Sequence, residues 1–191
     1  MMRNQTTSDR RPVDEEFLAT VIEAFKAGDK QAFRMLYDRY DQAIYRFCRH
    51  LVVDEALARD AFQETFIRMY EHRQDLRGTN IQSWLFTIAR RVSLNLLRAR
   101  RRTHEEFNET LHESVDHIDS DVLLREHIDR ALALLPVALR EALILRDVEG
   151  HSYLEIAEIV GIDISLAKVR VYRARLIMRK HLSTIVAERS K

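Results

Sequence analysis

Four glycines and two prolines are all that this chain places across 191 residues. Glycine supplies positive-φ turns and proline supplies breaks, so a turn-rich β fold is out of reach and long helices are favoured. Apolar residues make up 46% of the sequence, enough for a packed core. No apolar run approaches the roughly eighteen residues of a membrane span, so no membrane insertion is expected. The opening MMRNQTTSDRRPVDEE lacks the apolar stretch of a secretory signal. Cys48 is the only cysteine. It excludes an internal disulfide, points to a reducing, cytoplasmic setting, and sits among Ile44, Phe47 and Leu51 as a core residue would.

Hydrophobic spacing places the helices. Residues 1–13 are polar and expected to be a disordered tail. Phe17, Val21, Ile22 and Phe25 follow at helical spacing, Gly28 ends that helix, and Asp29 can cap the next. Phe33, Tyr37, Tyr40, Ile44, Phe47 and Leu51 then form one stripe. Asp54 is a second cap, before a helix carrying Leu57, Ala61, Thr65, Phe66 and Met69 and ending near Arg73. The loop DLRGTN precedes a helix from about Ile81, with Trp84, Leu85, Ile88, Val92 and Leu96 on its apolar face. Residues 103–122 show no sustained period and a net charge of about −7, the composition of a linker. Periodicity returns at Leu123, Leu124, Ile128, Leu132 and Leu135, and Pro136 marks a helix start. Gly150 breaks the chain. Ser152 with Glu155 fits a capping box for YLEIAEIV. Gly161 ends that helix, and Asp163 or Ser165 caps the last, which runs to about Val186. The expectation is an all-α chain of two small helical domains, 14–102 and 123–187, joined by an acidic flexible linker, 103–122.

The net charge of +1 conceals a pattern. Residues 86–102 hold six Arg and no acid, 103–130 hold nine acids and two Arg, and 164–187 hold six cations and no acid. Two basic segments separated by an acidic one suit a polyanion touched at two places. The second basic segment belongs to a helix-turn-helix spanning Tyr153 to Tyr172. Ala157 allows close approach, Gly161 turns the chain, and Ile156, Val160, Ile162 and Val169 are expected to pack inside. Lys168, Arg170, Arg173 and Arg175 then face outward near the start of a helix that can enter a major groove. The first segment follows Trp84, Phe86 and Thr87. Aromatics beside cations suit unstacked single-stranded bases, although a tryptophan there also suits a core.

These fragments resemble a family. The chain is similar to bacterial sigma factors of the extracytoplasmic-function (ECF, group 4) type, over all but its tail and linker. AGDKQAFRMLYDRY resembles the family's opening helix pair, ARDAFQETFIRMY its core-polymerase-binding helix, and DLRGTNIQSWLFTIARR its promoter-melting segment. LPVALREALILRDVEGHSYLEIAEIVGI followed by AKVRVYRARLIMR resembles its C-terminal domain. The resemblance implies that Asp60, Gln63, Glu64 and Phe66 meet the β′ clamp helices of core RNA polymerase. It assigns the loop Arg77, Gly78, Thr79 and Asn80, with Trp84, Arg90, Asn95 and Arg98, to the minus-ten promoter element, where a base is flipped from the non-template strand. It assigns Ser165, Lys168, Arg170, Arg173 and Arg175 to the minus-thirty-five element. The C-terminal domain is expected at the β flap, the linker in the RNA exit path, and an anti-sigma factor over the polymerase-binding surfaces. No regulatory C-terminal extension is expected.

Some positions depart from the pattern. Where the family often has Ala-Arg-Asn followed four residues later by Asp, this chain has Arg91 and Asn95. Its recognition helix has Leu166 and Val169 where hydroxyls are common, which bears on promoter preference. Two other readings compete. A stand-alone helix-turn-helix regulator binding duplex DNA fits the C-terminal half but leaves the N-terminal half unused. An enzyme would need a constellation that is missing: His104, His112 and His117 lack metal spacing, and there is no nucleophile elbow, phosphate-binding Gly loop or HExxH. No cofactor, metal or catalytic residue is expected.

Overall fold

The computed structural model describes residues 12–106 and 120–189, and among these every regular element is helical. The first half holds α1 (Pro12–Lys26), α2 (Lys30–Val52), α3 (Glu55–Glu71) and α4 (Ile81–Glu106). The second holds α5 (Ser120–Ala133), α6 (Val137–Leu143), α7 (Tyr153–Val160) and α8 (Ile164–Arg189). A 3-10 turn, Arg73–Asp75, follows α3, and a π-type turn, Ile144–Val148, continues α6. Both α4 and α5 reach into the span expected as linker, and most of that span lies outside the described residues.

Local chemistry sets the helix ends. Asp29 accepts from the Ala32 amide at 2.7 Å and Asp54 from the Leu57 amide at 2.9 Å, each satisfying a first-turn donor that has no intrahelical partner. Ser152 and Glu155 form the full reciprocal box on α7. Of the two candidates for α8, Asp163 is the cap, accepting from the Leu166 amide at 2.8 Å. That bond holds the Asp163 carboxyl below its ordinary range. α2 ends less comfortably, on Val53 at φ 54°. A β-branched side chain is strained in that left-handed conformation.

The apolar interior begins between α1 and α2 with Ile22, Phe25 and Leu36, and continues through Ile44, Phe47, Met69, Leu85 and Phe86. Burying a Phe or Leu of this kind contributes about 1.5–3 kcal/mol. Cys48 lies fully inside it, with the Ser93 hydroxyl 3.7 Å from its sulfur, and burial pushes the thiol up to about 11. The interior does not stop at the first half. The same cluster takes in Ala142, Ile144, Leu145, Ile156 and Val171 from the second. Phe86 of α4 bridges them, packing edge-on against Phe47 on one side and against His151 on the other, ring centroids 5.3 and 4.6 Å away.

Polar groups reinforce this junction. Arg46 makes a bidentate pair with Glu149 at 2.9 and 2.7 Å, and Arg49 reaches Asp129 at 2.9 Å. Arg140 is buried and donates to the carbonyls of Leu51, Ala133 and Leu135 at 2.9–3.0 Å. Leu51 closes α2, and the other two sit at the end of α5, so one guanidinium serves the unpaired carbonyls of two helices.

Candidate nucleic-acid interface

The helix-turn-helix is built as its sequence suggests. Gly161 adopts φ 75°, and the Ala157 carbonyl accepts from the amides of both Gly161 and Ile162 at 2.9 and 3.0 Å. That doubled bond ends α7 sharply and aims α8 away. Ile156 and Val160 pack inside as expected, with Ile162 partly buried. Val169 does not: it is 40% exposed. The inward stripe of α8 is Ala167, Val171 and Ala174, all fully buried. These recur at four and three residues, and Val169 lies two residues out of step, on the far side of the helix. Leu166 and Tyr172 are exposed too, so the solvent face of α8 mixes apolar and cationic groups.

The cations on α8 divide. Arg173 faces solvent, and among the described residues no ion pair holds it. Lys168 is exposed, with its ammonium 5.9 Å from the centre of the Tyr153 ring. Arg170 and Arg175 each meet an acid; Arg175 stays exposed, and only Arg170 departs from the expectation that all four point outward. Arg170 turns inward and donates to Glu141 at 3.2 Å, while Arg175 pairs with Asp147, its Nε at 2.9 Å. Each lies within reach of an acid on or just after α6, which runs alongside α8. Ser165 is exposed and lies two residues after the Asp163 cap.

In the first half, Arg77, Gly78, Thr79 and Asn80 are all exposed. Gly78 has φ 67° with open space around it, so its conformation is what requires glycine. Asn80 also acts locally, since its side chain accepts from the Ser83 amide at 3.2 Å and caps α4. Trp84 is half-buried against the core, leaving part of the ring available. Arg98 is exposed and donates to Asn95. Arg90 is largely covered and pairs with Glu141, its Nε at 2.8 Å.

α3 carries the third surface. Asp60, Gln63 and Ile67 fall on one line along it, and Ile67 is 52% exposed. A groove of about 540 Å³ lies to one side, lined by Phe33, Tyr37, Phe62, Phe66, Ile67 and Tyr70. Phe66 is buried in its floor, 4.6 Å from the Tyr37 ring. A second, more polar groove of about 370 Å³ lies towards α4, where Asp60, Gln63 and Glu64 meet Asn95 and Leu96. Glu64 also pairs with Arg68 at 2.6 Å. Asn95 therefore sits beside the residues expected at polymerase rather than beside the exposed loop.

The family description Sigma-70 region 2 matches residues 36–103, and Sigma-70, region 4 matches residues 125–178. An RNA polymerase sigma-H factor of Pseudomonas aeruginosa is 31% identical over 88% of this chain and 95% of its own length. The chain belongs to the ECF group of sigma-70 RNA polymerase sigma factors. The sigma factor CarQ of Myxococcus xanthus is 32% identical over 87% of the chain and 98% of its own length. Among solved structures, the sigma factor RpoE of Bartonella quintana, in complex with the anti-sigma factor NepR, aligns with a TM-score of 0.70 at 29% identity. That alignment covers 79% of this chain and 96% of the other. CnrH, in complex with the cytosolic domain of CnrY, shares the fold at a TM-score of 0.69 and 21% identity.

A sigma factor directs the polymerase's chemistry and performs none of its own. Among the described residues of this sigma factor no metal-binding cluster occurs, and none of their helices is long and apolar enough to cross a membrane. His112 and His117 lie outside the described residues. Two features escaped the sequence reading. The aromatic groove had a visible signal, Phe62, Phe66 and Tyr70 at four-residue spacing opposite Phe33 and Tyr37. Glu141 had none: an acid inside LREALIL reads as an exposed helix position until the neighbouring half is placed over it.

Proposed function

We propose that this sigma factor binds core polymerase through the exposed line of α3 and reads two promoter elements, one with each half. In this reading residues 14–102 and 123–187 are the functional domains and 103–122 their acidic tether. Asp60, Gln63, Glu64 and Phe66, with Ile67, meet the β′ clamp helices. A polar and acidic ridge beside an apolar groove suits a basic, amphipathic helix pair. The loop 77–80 takes the flipped minus-ten base, since extraction costs a few kcal/mol that pocket contacts must return. Trp84, Arg90, Asn95 and Arg98 follow the opened strand. Ser165, Lys168, Arg170, Arg173 and Arg175 meet the minus-thirty-five element, while the second half docks on the β flap. An anti-sigma factor covers the α3 surface in the inactive state, and the protein works in the cytoplasm.

The observation that carries this reading is the helix-turn-helix itself, with Lys168 and Arg173 presented to solvent at the start of α8. Polymerase then fixes the separation of two weak DNA contacts and makes them act together. The test is run-off transcription with bacterial core polymerase on a genomic fragment library. New, discrete start sites are expected only when the protein is added. Absence of such starts, with tight duplex binding by the protein alone, would establish a stand-alone regulator instead.

A further inference from the structure

Glu141 lies on α6 with its side chain only 2% exposed, and it accepts hydrogen bonds from both DNA-reading halves at once. Arg90 of α4 approaches with Nε at 2.8 Å and Nη2 at 3.3 Å. Arg170 of α8 approaches with Nη1 at 3.2 Å. A carboxylate withdrawn this far from water is tolerable only if opposite charges replace its hydration, so each arginine is bound to the other through it. Arg98 and Arg101 stand on the wall of the same cleft, a space of about 280 Å³ floored by apolar side chains. Two guanidinium groups thus meet on one acid, and two further arginines line the cleft beside them. A nucleic-acid backbone would seek the same charges, and here a group of the chain itself occupies two of them.

The contact is not isolated. The Arg46–Glu149 and Arg49–Asp129 pairs, the Arg140 bond to the Leu51 carbonyl and the Phe86–His151 packing all join the same two halves. We propose that Glu141 acts as an internal substitute for DNA phosphate, holding the free sigma factor closed by pairing one arginine of each promoter reader. The proposal rests on the assignment of Arg90 and Arg170 to DNA given above. Closure and DNA engagement then compete for the same side chains. A partner that parts the halves releases both arginines in one step, which ties DNA affinity to polymerase binding without a separate signal.

The experiment uses the full chain and its Glu141→Gln variant, which keeps the shape and removes the charge. Small-angle scattering reads the radius of gyration. Fluorescence anisotropy with a mixed-sequence single-stranded 30-mer reads DNA binding at low salt. Asp147→Asn is the control, because it frees Arg175 inside the second half without touching the junction. Expected for Glu141→Gln are a larger radius and DNA affinity raised about tenfold, against about twofold and no change of radius for Asp147→Asn. Should Glu141→Gln fail to fold, Glu149→Gln opens the same junction by removing the partner of Arg46 and gives the same pair of changes. An unchanged radius, or a DNA gain no larger than the control's, overturns the latch. Wild-type run-off transcription separates the two layers: initiation by wild type with no effect of Glu141→Gln sinks the latch alone, and no initiation by wild type sinks the sigma-factor assignments beneath it.

Discussion

The Arg140 guanidinium donates to the Leu51 carbonyl at 2.9 Å, tying α6 to the final turn of α2 across 89 residues of sequence. It also serves the carbonyls of Ala133 and Leu135. Burial and the nearby Arg101 charge both depress its pKa. Among the described residues the group is held by carbonyl dipoles and not by an acid. Replacing it with Met keeps the length and strands three carbonyls. Arg140→Met should therefore lower stability by about 2–4 kcal/mol, read as a shifted midpoint in urea unfolding.

Val53 offers the opposite sign. Its φ of 54° serves the end of α2, where its amide donates to the Arg49 carbonyl. Asn adopts that conformation more readily than a β-branched residue. Val53→Asn should raise stability by about 0.5–1 kcal/mol, measured as an increase in melting temperature.

Acid should loosen the protein before its carboxylates titrate. Burial lowers the pKa of His50, with Arg49 and Arg46 adding to the effect and Asp129 opposing it. Burial likewise lowers that of His151, opposed by Glu155. Both folded values lie below the usual 6.5. The unfolded chain then binds more protons than the folded one as pH falls below 6.5, so stability is complete above that point and is lost beneath it. Urea midpoints should fall between pH 7.5 and 5.5, and His151→Phe should flatten part of that slope.

Lys168 and Arg173 should show their role in salt dependence. If six cations of the C-terminal helix neutralise phosphates, the log–log salt slope of minus-thirty-five binding is about −5. Lys168→Ala and Arg173→Ala should each reduce its magnitude by about 1, measured by anisotropy on duplex DNA bearing the element that run-off mapping identifies. An unaltered slope would remove these residues from the interface.

Ile67 tests the α3 surface. It is half exposed and lies between the two grooves, so Ile67→Glu should leave the melting temperature nearly unchanged. It should weaken core polymerase binding by at least about tenfold if the clamp helices cover this ridge, measured by competition against a labelled sigma factor.

How far sequence could lead follows from which interactions are local. Asp29, Asp54, Ser152 with Glu155, and Gly161 act within four residues of themselves, and each does what its pattern announces. The stripe from Ile44 to Leu51 is legible for the same reason. Val169 misled because the turn after Gly161 sets where α8 begins, and a small change of phase moves a residue from one face to the other. Glu141 and Arg140 were illegible because their partners come from a different half of the chain. Arg170 and Arg175 lie on α8, as their spacing implies, but which charges they meet there depends on acids of α6 and the turn after it.

The fate of Cys48 follows from its place under α3 and α4. A thiol attacks as thiolate, and one held near 11 and sealed from solvent offers almost none at neutral pH. An alkylating reagent can reach it only in molecules whose helices have come apart. The rate at which the chain takes up such a reagent is therefore a clock for its own opening, written into the natural sequence and needing no added label.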